Sequence, residues 1–201
     1  YAGKSTGKLR IEDLPVHIRE AARPVLENPS FTGDGPVEKI TAEPDIYHWL
    51  LDHPEKTTKM WKNLGAKCMP IYARGPHRFG YKDENGTDIN WVCVVRSRKR
   101  RVWYAEGLVK AVKFFPRISI KAIMIMDIRE STNAAGVATI EHKSKMLLHT
   151  GSLAMRLVAK IVGASAPSMA EAYMKQIQFF FGGMAEHLSA DHPARMKKLL
   201  K

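Results

Sequence analysis

Residues 117–149 read RISIKAIMIMDIRESTNAAGVATIEHKSKMLLH: two alternating runs, 117–130 and 136–149, joined by STNAA. A period of two puts Ile118, Ile120, Ala122, Met124, Met126 and Ile128 on one side of the first run. Ser119, Lys121, Asp127 and Arg129 take the other side. In the second run Ala138, Ile140, His142, Ser144, Met146 and Leu148 oppose Thr139, Glu141, Lys143 and Lys145. A parallel return would need a crossover of roughly a dozen residues, so this pair is expected to be antiparallel. The charges face out and the methionines face in, with His142 and Ser144 among them.

Working back from this pair, CMPIYAR and HRFGYK precede DENG, whose Asn85-Gly86 is a hairpin turn signal. INWVCVVRS follows, then a turn over RKR, then RVWYAEGLV. Several strands with short turns and no intervening helix predict one antiparallel meander. Further back, VEKIT is a short strand followed by EPDIYHWLL and HPEKTTKMWKNLG, two brief helices that each start on a proline. His48 and His53 are five apart with Pro54 between the helices. They do not share a helical face as a metal pair would. Residues 1–35 form an arm in which EDLPVHIREAARPVLE makes a short helix, and NPSFTGDGP is the boundary.

Beyond the pair, GSLAMRLVAKIVG predicts a short amphipathic helix, packed over a cavity mouth or laid on a membrane surface. SAPSMAEAYMKQIQFFFGGMAEHLS predicts a long one, opened by a Ser168–Glu171 capping box. Its apolar stripe is Met169, Tyr173, Ile177, Phe180, Phe181, Met184 and Leu188. Gly182 and Gly183 inside it imply either close packing on the sheet or a kink.

This order of elements resembles the START-related, or helix-grip, superfamily (SRPBCC), which includes lipid-transfer domains and polyketide cyclase/dehydrase-like proteins. The resemblance spans about residues 36–190. It implies an α+β fold: a curved antiparallel sheet of six or seven strands wrapped around a long C-terminal helix, with two short helices after the first strand. The domain would then be 36–201, with 1–35 outside it. The fold implies a cavity between sheet and helix. The inward residues Ile120, Met124, Met126, Ile140, His142, Met146, Tyr173, Ile177 and Phe180 would line it, and methionine walls adapt to irregular apolar shapes.

The expected function is binding or transport of an apolar, lipid-like molecule without chemistry, and without a cofactor or metal. One alternative is a cyclase/dehydrase-type enzyme with His142 as general base oriented by Glu106. The other is a basic adaptor for an anionic membrane or, less favoured, nucleic acid. The chain has 32 Lys and Arg against 20 Asp and Glu, a net charge of +12, which favours acidic partners. Arg98, Lys99, Arg100 and Arg101 in RSRKRR are the candidate phosphate contacts, although no aromatic residue is interleaved for base stacking. The first 35 residues are balanced, with five basic and five acidic side chains. Cys68 and Cys93 are too few for a disulfide framework. No apolar run approaches the roughly 20 residues of a membrane span. The compartment is left open, as is whether a signal or anchor preceded Tyr1.

Overall fold

The computed structural model describes residues 8–110, 117–151 and 166–191. The expected 151–163 helix and the Ser168 cap lie largely or wholly outside the described residues or side chains. A short 3-10 turn (Ile11–Asp13) leads into α1 (Val16–Glu27) and then β1 (Phe31–Thr41). α2 (Pro44–Asp52) and α3 (Pro54–Asn63) follow, each with proline in its first turn, where its missing N–H costs nothing. Gly65, at φ 84°, ends α3 in a conformation that favours glycine. The meander is β2 (Tyr72–Gly75), β3 (Arg78–Lys82), β4 (Asp88–Arg96), β5 (Arg100–Val109), β6 (Ile118–Thr132) and β7 (Ala138–Thr150). The long helix α4 (Ala166–Asp191) closes the described chain.

The seven strands form one antiparallel sheet in the order β1-β7-β6-β5-β4-β3-β2, so the first strand pairs with the last. β6 and β7 pair as their alternation demands, with Met124 opposite Met146 and Ile128 opposite His142. β1 begins at Phe31 and so runs across the boundary suggested near residue 35.

Both faces of the sheet are covered. On the inner face Ile40, Trp103, Met124, Met126 and Ile140 pack with Tyr47, Leu50 and Leu51 of α2 and Phe181, Met184 and Leu188 of α4. On the outer face Val102, Tyr104, Ile123 and Ile125 pack against Leu14, Ile18, Ala22 and Val25. Ile123 and Ile125 lie on the same side of β6 as Lys121 and Asp127, so that side has charged ends and an apolar centre. The N-terminal arm fills that centre.

α4 packs chiefly on β1, with α2 and α3 alongside. Its buried face is Met174, Gln178, Phe181, Ala185 and Leu188, a four-three repeat. The stripe expected from the sequence is thus rotated: Tyr173 is 59% exposed and does not line the interior. Gln178 takes a place on the buried face because both ends of its amide find a hydrogen-bond partner there. Gly182 is where the helix touches the sheet closely. A Cβ added there would lie 3.1 Å from His142 Cε1 and 3.4 Å from Ile40 Cδ1.

Candidate ligand pocket and buried polar core

Met124, Met126 and Ile140 are buried in the core, with Met146, Ile177 and Phe180 half-buried against it, while the expected Ile120 is half-buried near the start of β6, outside that cluster. A cavity of about 310 Å³ opens beside this core rather than at its centre. Leu51, Phe79, Cys93 and Trp103 supply its apolar lining. Trp103 is 1% exposed and stacks on Phe181, with ring centroids 6.5 Å apart, so the floor of the pocket is braced by α4. Phe79 is backed by Trp91 in a parallel stack at 6.0 Å.

One wall is the α2–α3 corner, with Asp52, His53, Pro54 and Glu55. The other is the β2–β3 hairpin, from Ala73 through Phe79. Gly75 at φ 124° and His77 at φ 54° let that hairpin turn tightly. The histidines of the corner are engaged locally. His53 Nδ1 is 2.9 Å from the Trp49 carbonyl and its ring stacks on Trp49. Among the described residues, no three His, Cys, Asp or Glu side chains converge on a point where a metal could sit. Burial pushes the Cys93 thiol up to about 11, so it stays protonated and unreactive at neutral pH. A β-bulge between Cys93 and Val95 sets its position on β4.

His142 points inward, as its place on β7 implies, but faces the core. Its ring is 1% exposed. Nδ1 is 2.5 Å from the Tyr47 hydroxyl and Nε2 is 3.3 Å from Glu38 Oε2. A carboxylate can only accept, so Nε2 carries the proton and Nδ1 accepts from Tyr47. Burial lowers the His142 pKa against the opposing pull of Glu38, and burial also raises that of Tyr47. The expected His142–Glu106 pair does not form. Trp103 faces in, which turns Tyr104 and Glu106 to the outer face, where Tyr104 donates to Glu106 at 2.9 Å. The acid that reaches His142 sits opposite it on β1, a pairing invisible before the strand order was known.

The second buried polar group was also missed. Ser144 donates to Gln178 Oε1 at 2.8 Å, and Gln178 Nε2 donates to the Pro36 carbonyl at 3.0 Å. Pro36 lies in the β1 bulge between Asp34 and Val37, where a strand tolerates proline. Gly35 beside it must lack a side chain, because a Cβ would collide with Gln178 and Ser144.

The basic run at the β4–β5 turn is held by acids of the same chain. Arg98 pairs with Asp45 at 3.0 Å and Glu130 at 2.9 Å, and Arg100 pairs with Asp127 at 2.6 Å. Arg101, 4% exposed, has Nε 3.3 Å from Asp52 Oδ1, an ion pair without hydrogen-bond alignment. Arg96 meets the same Asp52 at 2.5 Å. Glu130 also accepts from His48 Nε2 at 2.7 Å. Burial would raise the Glu130 pKa, but Arg98 and His48 outweigh it and hold it low. Of the four expected phosphate contacts, these pairs leave Lys99 alone without a carboxylate among the described residues.

No family profile and no curated protein matches the chain. Solved structures do. A conserved protein from Geobacillus kaustophilus is 10% identical over 81% of this chain and 97% of its own, with a TM-score of 0.51. A hypothetical protein from Helicobacter pylori is 10% identical over 92% and 99%, with a TM-score of 0.50. The di-domain ARO/CYC BexL from the BE-7585A biosynthetic pathway is 15% identical over 89% of this chain, with a TM-score of 0.46. This chain spans 56% of that protein's length. At such identities the likeness is one of fold.

Proposed function

We propose that this chain, which has the helix-grip fold of the START-related superfamily, binds a small apolar molecule in the pocket between the α2–α3 corner and the β2–β3 hairpin. The observation that carries the reading is the pocket itself: about 310 Å³, floored by Trp103, Leu51, Phe79 and Cys93, and rimmed by polar side chains. Concave, mostly apolar sites with a few polar groups at the rim are the usual form of a ligand site. The volume is at the small end of that class, which favours a compact ligand over a sterol or a two-chain lipid. Binding without chemistry is supported by the state of His142. Both ring nitrogens are occupied by Tyr47 and Glu38, and the ring is not part of the pocket wall, so no free lone pair meets a substrate.

The test has two parts. Mass spectrometry of the purified protein, native and then denatured, should release a compact apolar molecule. A fluorescent apolar probe should bind the wild type and lose at least about tenfold in affinity in Cys93→Phe, whose ring would fill the pocket. Unaltered probe binding by a folded Cys93→Phe variant would place the ligand elsewhere.

A further inference from the structure

Positive charge without an internal ion pair is concentrated in the stretch that runs from α3 into the hairpin wall of the pocket. From Lys56 to Lys82 the chain has seven basic residues (Lys56, Lys59, Lys62, Lys67, Arg74, Arg78 and Lys82) and no Asp or Glu. This stretch is α3, the connection to β2, and the β2–β3 hairpin, so it includes the hairpin wall of the pocket. Lys59, Lys62, Lys67 and Arg78 are exposed and have no carboxylate partner among the described residues. Arg74 is spent on Asp88 and Asn90 within the sheet, and Lys56 lies over the Trp49 ring at 5.2 Å.

Between these cations stand large apolar side chains in water. Leu64 is 53% exposed, Met69 65% and Tyr72 52%, all within nine residues that also hold Lys67. On the α4 side Phe179, 62% exposed, lies against Trp61, with centroids 5.3 Å apart. Leu64 is one helical turn beyond Trp61. Scattered exposed apolar residues need no explanation, but three within nine residues of a stretch whose every charge is positive do.

We propose that this surface docks on an anionic lipid bilayer, with Leu64, Met69 and Tyr72 entering the headgroup region and Lys59, Lys62 and Lys67 meeting the phosphates. Lysines beside apolar side chains are the composition of an interfacial membrane contact, in which area burial and attraction to anionic lipid add. The hairpin wall of the pocket, from Ala73 to Phe79, follows directly on Tyr72, so docking would bring the bilayer to the chain that forms one side of the pocket's mouth. The acids near that mouth do not oppose this: Asp52 is neutralised by Arg96 and Arg101, leaving Glu55. The docking holds whatever the pocket contains. Vesicle binding is measured with no ligand added, so failure of either reading leaves the other standing.

The experiment is flotation with phosphatidylcholine vesicles, with and without phosphatidylserine. The wild type should bind only the anionic vesicles, less as salt rises. Combined Lys59→Glu, Lys62→Glu and Lys67→Glu should lose on the order of a hundredfold in partitioning. Leu64→Ser with Met69→Ser should lose about tenfold at unchanged charge. Lys39→Glu, Lys121→Glu and Lys143→Glu on the outer face change net charge equally and should lose far less. Amide exchange on the unaltered protein should show residues 64–72 protected by vesicles, which localises the contact even where a variant folds poorly. Absent serine-lipid dependence, equal losses in both charge sets, or tight binding to a single-stranded oligonucleotide with vesicle binding at background would each overturn the proposal.

Discussion

Gly182 and Gly183 are neighbours on α4, yet a methyl group added to each meets different surroundings. At Gly182 it would press on the His142 ring, which cannot move because both nitrogens are held. At Gly183 it would lie 2.9 Å from the Phe179 ring, the mobile end of an exposed side chain. Alanine gains up to about 1 kcal/mol of helix propensity over glycine at either site. Gly183→Ala should therefore raise stability by up to about 1 kcal/mol, while Gly182→Ala should lower it by about 1–2 kcal/mol as overpacking outweighs propensity. Denaturant melts of the two variants check the opposite signs. The same ring predicts a pH dependence. Burial lowers the pKa of His142, which faces Tyr47, Glu38 and Glu186, and of His48, which faces Glu130, Arg98 and Arg101. A histidine whose folded pKa lies below its unfolded value near 6.5 costs nothing at high pH and destabilises as pH falls. Stability should be full above about pH 6.5 and decline below it, and His142→Gln should flatten the decline in melts taken across that range. Probe binding in that variant should change by no more than about tenfold, since the ring lies outside the pocket wall. His142 was legible as an inward strand residue because alternation alone places it. Gln178 was not, because hydropathy gives no reason to bury an amide until Ser144 and the Pro36 carbonyl are seen to satisfy it.

Strands and helices were the most legible level of this chain. The alternation in 117–149 gave both faces and the pairing of β6 with β7, and the proline starts gave α2 and α3. What alternation could not give is what the β4–β5 turn does. RSRKRR reads as a charge run, yet its arginines tie β4, β5 and β6 to α2 through acids distant in sequence, such as Asp52, 44 residues before Arg96. These ties differ in worth by their burial. Asp52 and Arg101 have side chains 8% and 5% exposed, whereas Arg98 is 59% exposed. Asp52→Asn leaves Arg101 without its charge partner out of water and should cost about 3–5 kcal/mol. Arg98→Gln breaks two surface pairs and should cost about 1 kcal/mol or less. Equal costs in denaturant melts would mean that burial does not rank these pairs. The outcome also bears on the pocket, because Asp52 and Arg96 form part of its wall.

At the scale of the whole molecule the sheet has two covered faces, and only one was expected. The resemblance that pointed to α4 on the inner face starts after the arm, and the outer face of β6 reads as polar because Lys121 and Asp127 frame it. Ile123 and Ile125 between them, with Val102 and Tyr104 of β5, make an apolar centre that would be bare without residues 9–25. Leu14 is 2% exposed, Ile18 8%, and Ala22 and Val25 0%, so the arm is buried as deeply as the core. Burying Leu14, Ile18 and Val25 is worth about 1.5–3 kcal/mol each, which together rivals the whole 5–15 kcal/mol stability of an ordinary domain. Leu14→Ala and Ile18→Ala should each cost about 2–5 kcal/mol. A chain beginning at Asn28, which keeps every strand, the pocket and α4, should fail to unfold cooperatively or should self-associate through the bared face. Thermal unfolding and sedimentation of that truncation are the measurement. A monomer that melts cooperatively within a few degrees of the full chain would mean the outer cluster packs without stabilising, and the domain would then begin at β1.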